Sequence, residues 1–332
     1  MKKRFLSLFC VLLCLIVCFA SACDGGSSAS ESSSSSALDS SGSTVEPLPE
    51  KEVVHCLKDV GLHNGFLLLG MHPVNDTAVK KTVKFTDEEP TWSICQWWSK
   101  HNLAGGEESD DGKQYSLKNQ GKTLGIDREK VGVTLEVSGS NEFESYNEQA
   151  PTEWPHLLVH GVTQPIALSD AEKIDASLNF TLTKSEDKRN SDGNGFQAQF
   201  AWFIYISDVN PESAGYNNFL YFGLNIFDST KVYAPASAQQ DTANGPGSFI
   251  YALGANQFMQ KRVKTNVNNS FTYDILPEIK NSISVAQSKG FMQGSSFEDL
   301  AIIGMNIGWE VFDRWDVSVT IYDMAIDKTV KE

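Results

Sequence analysis

Basic residues are the scarce charge in this 332-residue chain: 27 Lys and Arg stand against 42 Asp and Glu, a formal −15. A surface of that sign repels phosphate backbones and anionic lipid head groups, which sets nucleic acid aside as a partner. Three of the bases, Lys2, Lys3 and Arg4, crowd the N-terminus, and no acid occurs before Asp24; loss of that segment takes the charge three further, to −18. Cysteine is equally sparse. Of six, Cys10, Cys14 and Cys18 fall in the N-terminal apolar run, and only Cys56 and Cys95 lie beyond Cys23. A single pair is no disulfide framework, and neither residue has the Cys-x-x-Cys or His spacing of a structural zinc site. There is no internal repeat of propeller type, no G-x-S-x-G elbow and no phosphate-binding glycine loop. What is present is apolar mass: 41% hydrophobic residues and 11% aromatics exclude wholesale disorder.

The N-terminus reads as an address. A basic start, an apolar run from Phe5 to Ala20 and the small residues Ala20-Ser21-Ala22 make residues 1–22 a secretory signal peptide. Cys23 directly after them is similar to the lipobox of bacterial lipoproteins, in which that Cys is acylated; Ala20 stands where Leu or Val is usual. From Ser27 to Ser43, 11 of 17 residues are Ser, too little apolar surface to order, so 23–50 is expected to be a lipid-anchored tether. The expectation is therefore an extracytoplasmic, lipid-anchored protein at the bacterial cell surface, a monomer that touches the membrane through its N-terminal lipid alone. Residues 51–332 form one domain.

That domain reads as all-β. Val131, Val133, Leu135 and Val137 alternate, as do Ile174 to Leu182 and Trp315 to Ile321, which gives strands with one face in a core. Further strands are expected at 66–70, 92–97, 156–160, 196–206, 218–227, 248–252 and 302–312, broken by Gly, Asn, Asp and Pro clusters. One helix is expected near 272–289, with Leu276, Ile279, Ile283 and Ala286 in a stripe, Pro277 in its first turn and Gly290 at its stop. Many strands, one helix and no βαβ alternation predict a two-sheet antiparallel sandwich of jelly-roll type.

Several strands carry an unusual second face. Gln197, Gln199 and Tyr205 oppose the apolar positions of 196–206; Tyr221 and Asn225 do so in 218–227; Asn306 and Glu310 in 302–312; and His156 shares a face with His160. Amides, hydroxyls and aromatic rings with little fixed charge suit the hydroxyls and apolar faces of a neutral saccharide. Trp97 and Trp98 are candidates for a sugar platform. These residues are expected to line a concave sheet that binds a neutral or weakly charged poly- or oligosaccharide.

Glu153-Trp154-Pro155-His156-Leu157-Leu158, Gln199, the 219–223 strand leading to Asp228, and Asn306-Ile307-Gly308-Trp309-Glu310 followed by 316–321 resemble secreted bacterial proteins of the concanavalin-A-like lectin/glucanase superfamily. The resemblance covers roughly residues 90–326. It implies a jelly-roll fold and a saccharide ligand; members include hydrolases, lyases and non-catalytic binders, so activity stays open.

Catalysis is the alternative. Glycosidases need two carboxyls about 5–5.5 Å apart if retaining and about 6.5–9.5 Å if inverting. Glu310 is the best single carboxyl, with Glu144, Glu148, Glu153 or Asp228 as partner; the E-x-D-x-E run of laminarinase-like members is absent. A lyase would use His156 or a tyrosine as base, but the R-x-E-x-R and Q-I-H motifs of alginate lyases are missing and the proposed face has no Lys or Arg. Asp187, Asn190, Asp192 and Asn194 offer oxygens to Ca2+ without the spacing of an EF-hand; the run reads as a polar hairpin loop, and no metal or other cofactor is expected. A structural envelope protein with a protein partner is the third reading.

Overall fold

The structure, a computed structural model, describes residues 51–149, 151–189, 195–241 and 248–332. The leader, Cys23 and the tether lie outside the described residues, as do Asn190, Asp192 and Asn194 of the loop weighed for Ca2+.

The chain opens with β1 (Val53–His55), β2 (Gly65–Leu69), β3 (Val79–Lys84) and β4 (Trp92–Cys95). A meander follows of β5 (Glu107–Asp110), β6 (Gln114–Lys118), β7 (Lys122–Asp127) and β8 (Val133–Ser138), closed by the one-turn helix α1 (Gly139–Glu142). The middle supplies the long strands β9 (His156–Ala167), β10 (Ala171–Asp187), β11 (Ala198–Asp208) and β12 (Phe219–Asp228). After β13 (Ser237–Gln240), β14 (Ser248–Leu253), α2 (Ala255–Phe258) and β15 (Asn268–Asp274) comes α3 (Leu276–Ser288). The strands β16 (Leu300–Val311) and β17 (Trp315–Val330) complete it.

Two sheets result. One runs β15-β10-β17-β8-β7-β6-β5, with β1 also on β17; the other runs β13-β14-β12-β11-β16-β9-β4-β2-β3. Pairing is antiparallel except at β12 with β14 and β2 with β4, which run parallel. The fold is a two-sheet sandwich of jelly-roll type.

The core forms where the alternating faces meet. Leu135, Val137, Leu178, Phe180, Val317 and Val319 come from the eight-stranded sheet; Phe200, Trp202, Phe222, Leu224, Ile307 and Trp309 come from the other. Each such side chain contributes about 1.5–3 kcal/mol by leaving water. The other face of the eight-stranded sheet is solvated, with pairs such as Lys184–Glu136 and Lys173–Asp175.

Three departures from the sequence reading have local causes. A register shift between Ile302 and Gly304 puts Ile302 in the core in place of Ile303. A second, where Phe180 pairs Ile321 but Asn179 pairs Asp323, moves the core phase of β17 on to Met324 and Ile326. Residues 272–274 are strand, not helix: Thr272 and Tyr273 pair with Ser177 and Ala176 of β10, and Asp274 Oδ1 accepts the backbone N–H of Leu276 as α3 begins.

Candidate functional site

Register brings four polar residues into one row. His156 stands opposite Glu310, Glu310 opposite Gln199, and Gln199 opposite Asp228. The row crosses β9, β16, β11 and β12 where two of these strands begin and two end. Because their neighbours Trp309, Phe200 and Phe227 point into the core, pleating turns all four to the sheet's other face. Directly opposed Cα atoms lie about 4.5–5.5 Å apart.

Glu310 is the centre of the row and is 2% exposed. Trp154 Nε1 donates to Glu310 Oε2 at 3.1 Å. His156 Nδ1–H donates to the Trp154 carbonyl at 2.8 Å, and its Nε2 lies 3.8 Å from the same Glu310 oxygen. The Trp154 ring stacks on Phe312 at 4.3 Å, and Trp97 meets His156 edge-on at 5.8 Å. Burial in this aromatic surround pushes the Glu310 carboxyl up to about 8; the Trp154 N–H acts against the shift, and the negative charge of Asp241 acts with it. At pH 7 Glu310 is mostly the neutral acid.

A second tier lies farther along the same face. Asn306 stands opposite His160 and Phe203, and its Nδ2 donates to Tyr205 Oη at 2.8 Å. Tyr205 packs on Tyr221 and His160, and Phe203, Tyr221, Ile250 and Ala252 extend the cluster. Desolvation lowers His160 to about 4, so it too is neutral at pH 7.

Most of the residues expected to line the concave face are enclosed. His156, His160, Gln199, Tyr205, Tyr221, Asn306 and Glu310 are all buried. Their face carries the apolar clusters around Phe203 and Cys95 as well as the polar row. Gln197 and Asn225 stay partly exposed. Trp97 is buried against Cys95 and Leu158 and offers no platform. Trp98 is half-buried: β4 ends at Cys95, and a φ of +56° turns Trp98 out of the alternation to meet the His72 ring at 4.2 Å. Glu153 is exposed, and it is its neighbour Trp154 that reaches Glu310. Glu144 and Glu148 are exposed as well, Glu144 beside Lys100. Cys56 and Cys95 are both free thiols.

Where the row meets solvent, Gln199, Asn225 and Asp228 border a cavity of about 30 Å³ against Ala234, Pro235 and Ser237, room for about one water. Asn225 Nδ2 donates to the Pro235 carbonyl at 2.7 Å. Asp228 Oδ1 accepts both the backbone N–H and the hydroxyl of Thr230. The Gln199 amide makes no hydrogen bond to any described residue. Among the described residues no group of three or more His, Cys, Asp and Glu side chains can hold a metal ion.

Sequence reasoning found Glu310, His156, Gln199 and Asp228 but not Trp154 as the partner of Glu310. The signal was its position two residues before His156, which places it on the same side of the entering strand.

No family model matches the chain, and no curated protein is similar to it. Solved structures are. The endoglucanase cel12A from Rhodothermus marinus is 13% identical, with 68% of this chain and 96% of that chain covered and a TM-score of 0.36. A family 12 xyloglucanase from Bacillus licheniformis is 12% identical, with 68% and 97% covered and a TM-score of 0.39. The xyloglucanase domain of NopAA, a type three effector from Sinorhizobium fredii, is 13% identical, with 69% and 100% covered and a TM-score of 0.35. The likeness is one of architecture. At such identities and scores it assigns no substrate or activity to this chain.

Proposed function

We propose that this chain is an extracytoplasmic carbohydrate-binding protein, lipid-anchored at Cys23, that takes a neutral oligosaccharide beside the row His156–Glu310–Gln199–Asp228. The observation that carries this reading is the uncommitted amide of Gln199 opposite a buried, protonated Glu310. An amide has two donors and an acceptor, the complement of vicinal hydroxyls. Neutral Glu310 beside it presents no charge to the ligand. The strand positions directly beside Glu310 are filled by Gln199 and His156, and the carboxylate that acts on Glu310 is that of Asp241. Entry requires Ala234–Ser237 to move away, because the cavity there is smaller than a sugar.

One observation favours a second reading, inverting hydrolysis. Asp228 lies two strands from Glu310 in the same row, a span of about 10 Å between Cα atoms. Glu310 would be the general acid and Asp228 the base for a water between them. A carbohydrate array read in parallel for new reducing ends separates the two. Glycan capture without new ends supports binding, new ends from a captured glycan support hydrolysis, and no capture of any neutral glycan refutes both.

A further inference from the structure

Lys261, Arg262 and Lys264 lie close together on the α2–β15 connection, in a chain that carries an excess of acids. The lysines of this protein commonly sit on carboxylates: Lys51 on Glu172, Lys80 on Asp76, Lys113 on Glu129, Lys173 on Asp175, Lys188 on Glu186. Lys261, Arg262 and Lys264 meet no acid among the described residues. They line a concavity of about 680 Å³ with Tyr233, Asn268 and Asn269, and among the described residues no Asp or Glu enters its wall. That volume is within the roughly 300–1,000 Å³ of ligand sites. The connection is held in place beneath the cations. Met259 is buried, Val263 packs on the core between exposed Arg262 and Lys264, Thr265 bridges to Leu182, and Asn266 N–H donates to the Leu182 carbonyl at 2.7 Å.

From this we infer a second glycan site, for an acidic polysaccharide bearing uronate carboxylates. The three cations face the carboxylates, the Asn268 amide faces ring hydroxyls beside Asn269, whose Nδ2 donates to the Val267 carbonyl at 2.7 Å, and Tyr233, 37% exposed, offers a ring for a sugar to lie on. Against a surface of net negative charge, a walled basic hollow concentrates the field on one small anionic segment. The hollow shape and its amides match a polyhydroxylated chain better than a flat lipid surface. The site stands apart from the Glu310 row and does not depend on how that row is read.

The test is a binding titration of the full, solubilised chain with oligogalacturonate, with neutral cello-oligosaccharide and phosphatidylglycerol vesicles as parallel arms. Oligogalacturonate should bind, and binding should weaken as salt rises. Lys261→Ala, Arg262→Ala and Lys264→Ala should each lower affinity about tenfold, while Arg262→Lys retains more than Arg262→Ala. These side chains are exposed, so an unchanged melting temperature certifies each variant's fold. No binding of oligogalacturonate, binding unaffected by the triple alanine variant, or charge-dependent binding of the vesicles alone overturns the proposal.

Discussion

Glu310 and His160 are buried on the same sheet face and are shifted in opposite directions, with opposite consequences for stability. The folded chain holds the Glu310 proton up to about pH 8, where the unfolded chain releases it near 4.5. Stability from this group is therefore complete below 4.5 and lost as pH rises toward 8. The folded chain keeps His160 neutral down to about pH 4, where the unfolded chain takes up the proton near 6.5. That contribution is complete above 6.5 and lost as pH falls toward 4. Each slope is about 1.4 kcal/mol per pH unit. In urea titrations, their two contributions should cancel between 4.5 and 6.5, and stability should fall between 6.5 and 8. Glu310→Gln should abolish the fall above 6.5 and uncover a rise between 4.5 and 6.5. An unchanged pH slope in that variant would show that Glu310 is ionised in the folded protein.

At the scale of the element, one anchor is expensive to disturb. Lys122, at the start of β7, and Glu142, at the end of α1, form an ion pair with both side chains almost wholly inaccessible. Glu142 also accepts the backbone N–H of Lys100 at 2.6 Å, which ties a loop to the pair. Burial pulls the Lys122 ammonium down, and the charge of Glu142 opposes that pull. Lys122→Met leaves a buried carboxylate without its counter-charge and should cost about 3–5 kcal/mol, measured by chemical denaturation; replacing both partners with apolar residues should cost less. In α3, Ile279 is fully buried, and Ile279→Ala should cost about 2–5 kcal/mol. A loss below 1 kcal/mol would mean α3 does not pack on the sandwich as described. Elements of this kind were legible wherever apolar positions alternated without interruption, as in Ile174 to Leu182. They were less so in β3, β5 and β6. Val79–Lys84 is absent from the expected strands because it edges its sheet and exposes most of its side chains, and Glu107–Asp110 is exposed throughout. The bulges at Ile302–Gly304 and near Tyr322 were invisible because an inserted residue leaves composition untouched while shifting the phase.

At the scale of the whole molecule, alternation told which residues share a face, and register then aligned His156, Glu310, Gln199 and Asp228 from four strands. Whether that face would be open was not legible. Burial there depends on where connecting segments from distant parts of the chain come to lie, and spacing within a strand carries no record of it. The acidic total likewise concealed its exception, the Lys261–Lys264 hollow, because net charge averages over position. The central claim is that a neutral glycan binds at the row through Gln199. Isothermal titration of the full chain with the neutral oligosaccharide that scores highest on an array tests it most directly, with Gln199→Ala alongside and product analysis of the same samples. Binding should weaken about tenfold or more in Gln199→Ala, at an unchanged melting temperature and with the oligosaccharide recovered intact. Equal affinity in the two proteins would contradict it.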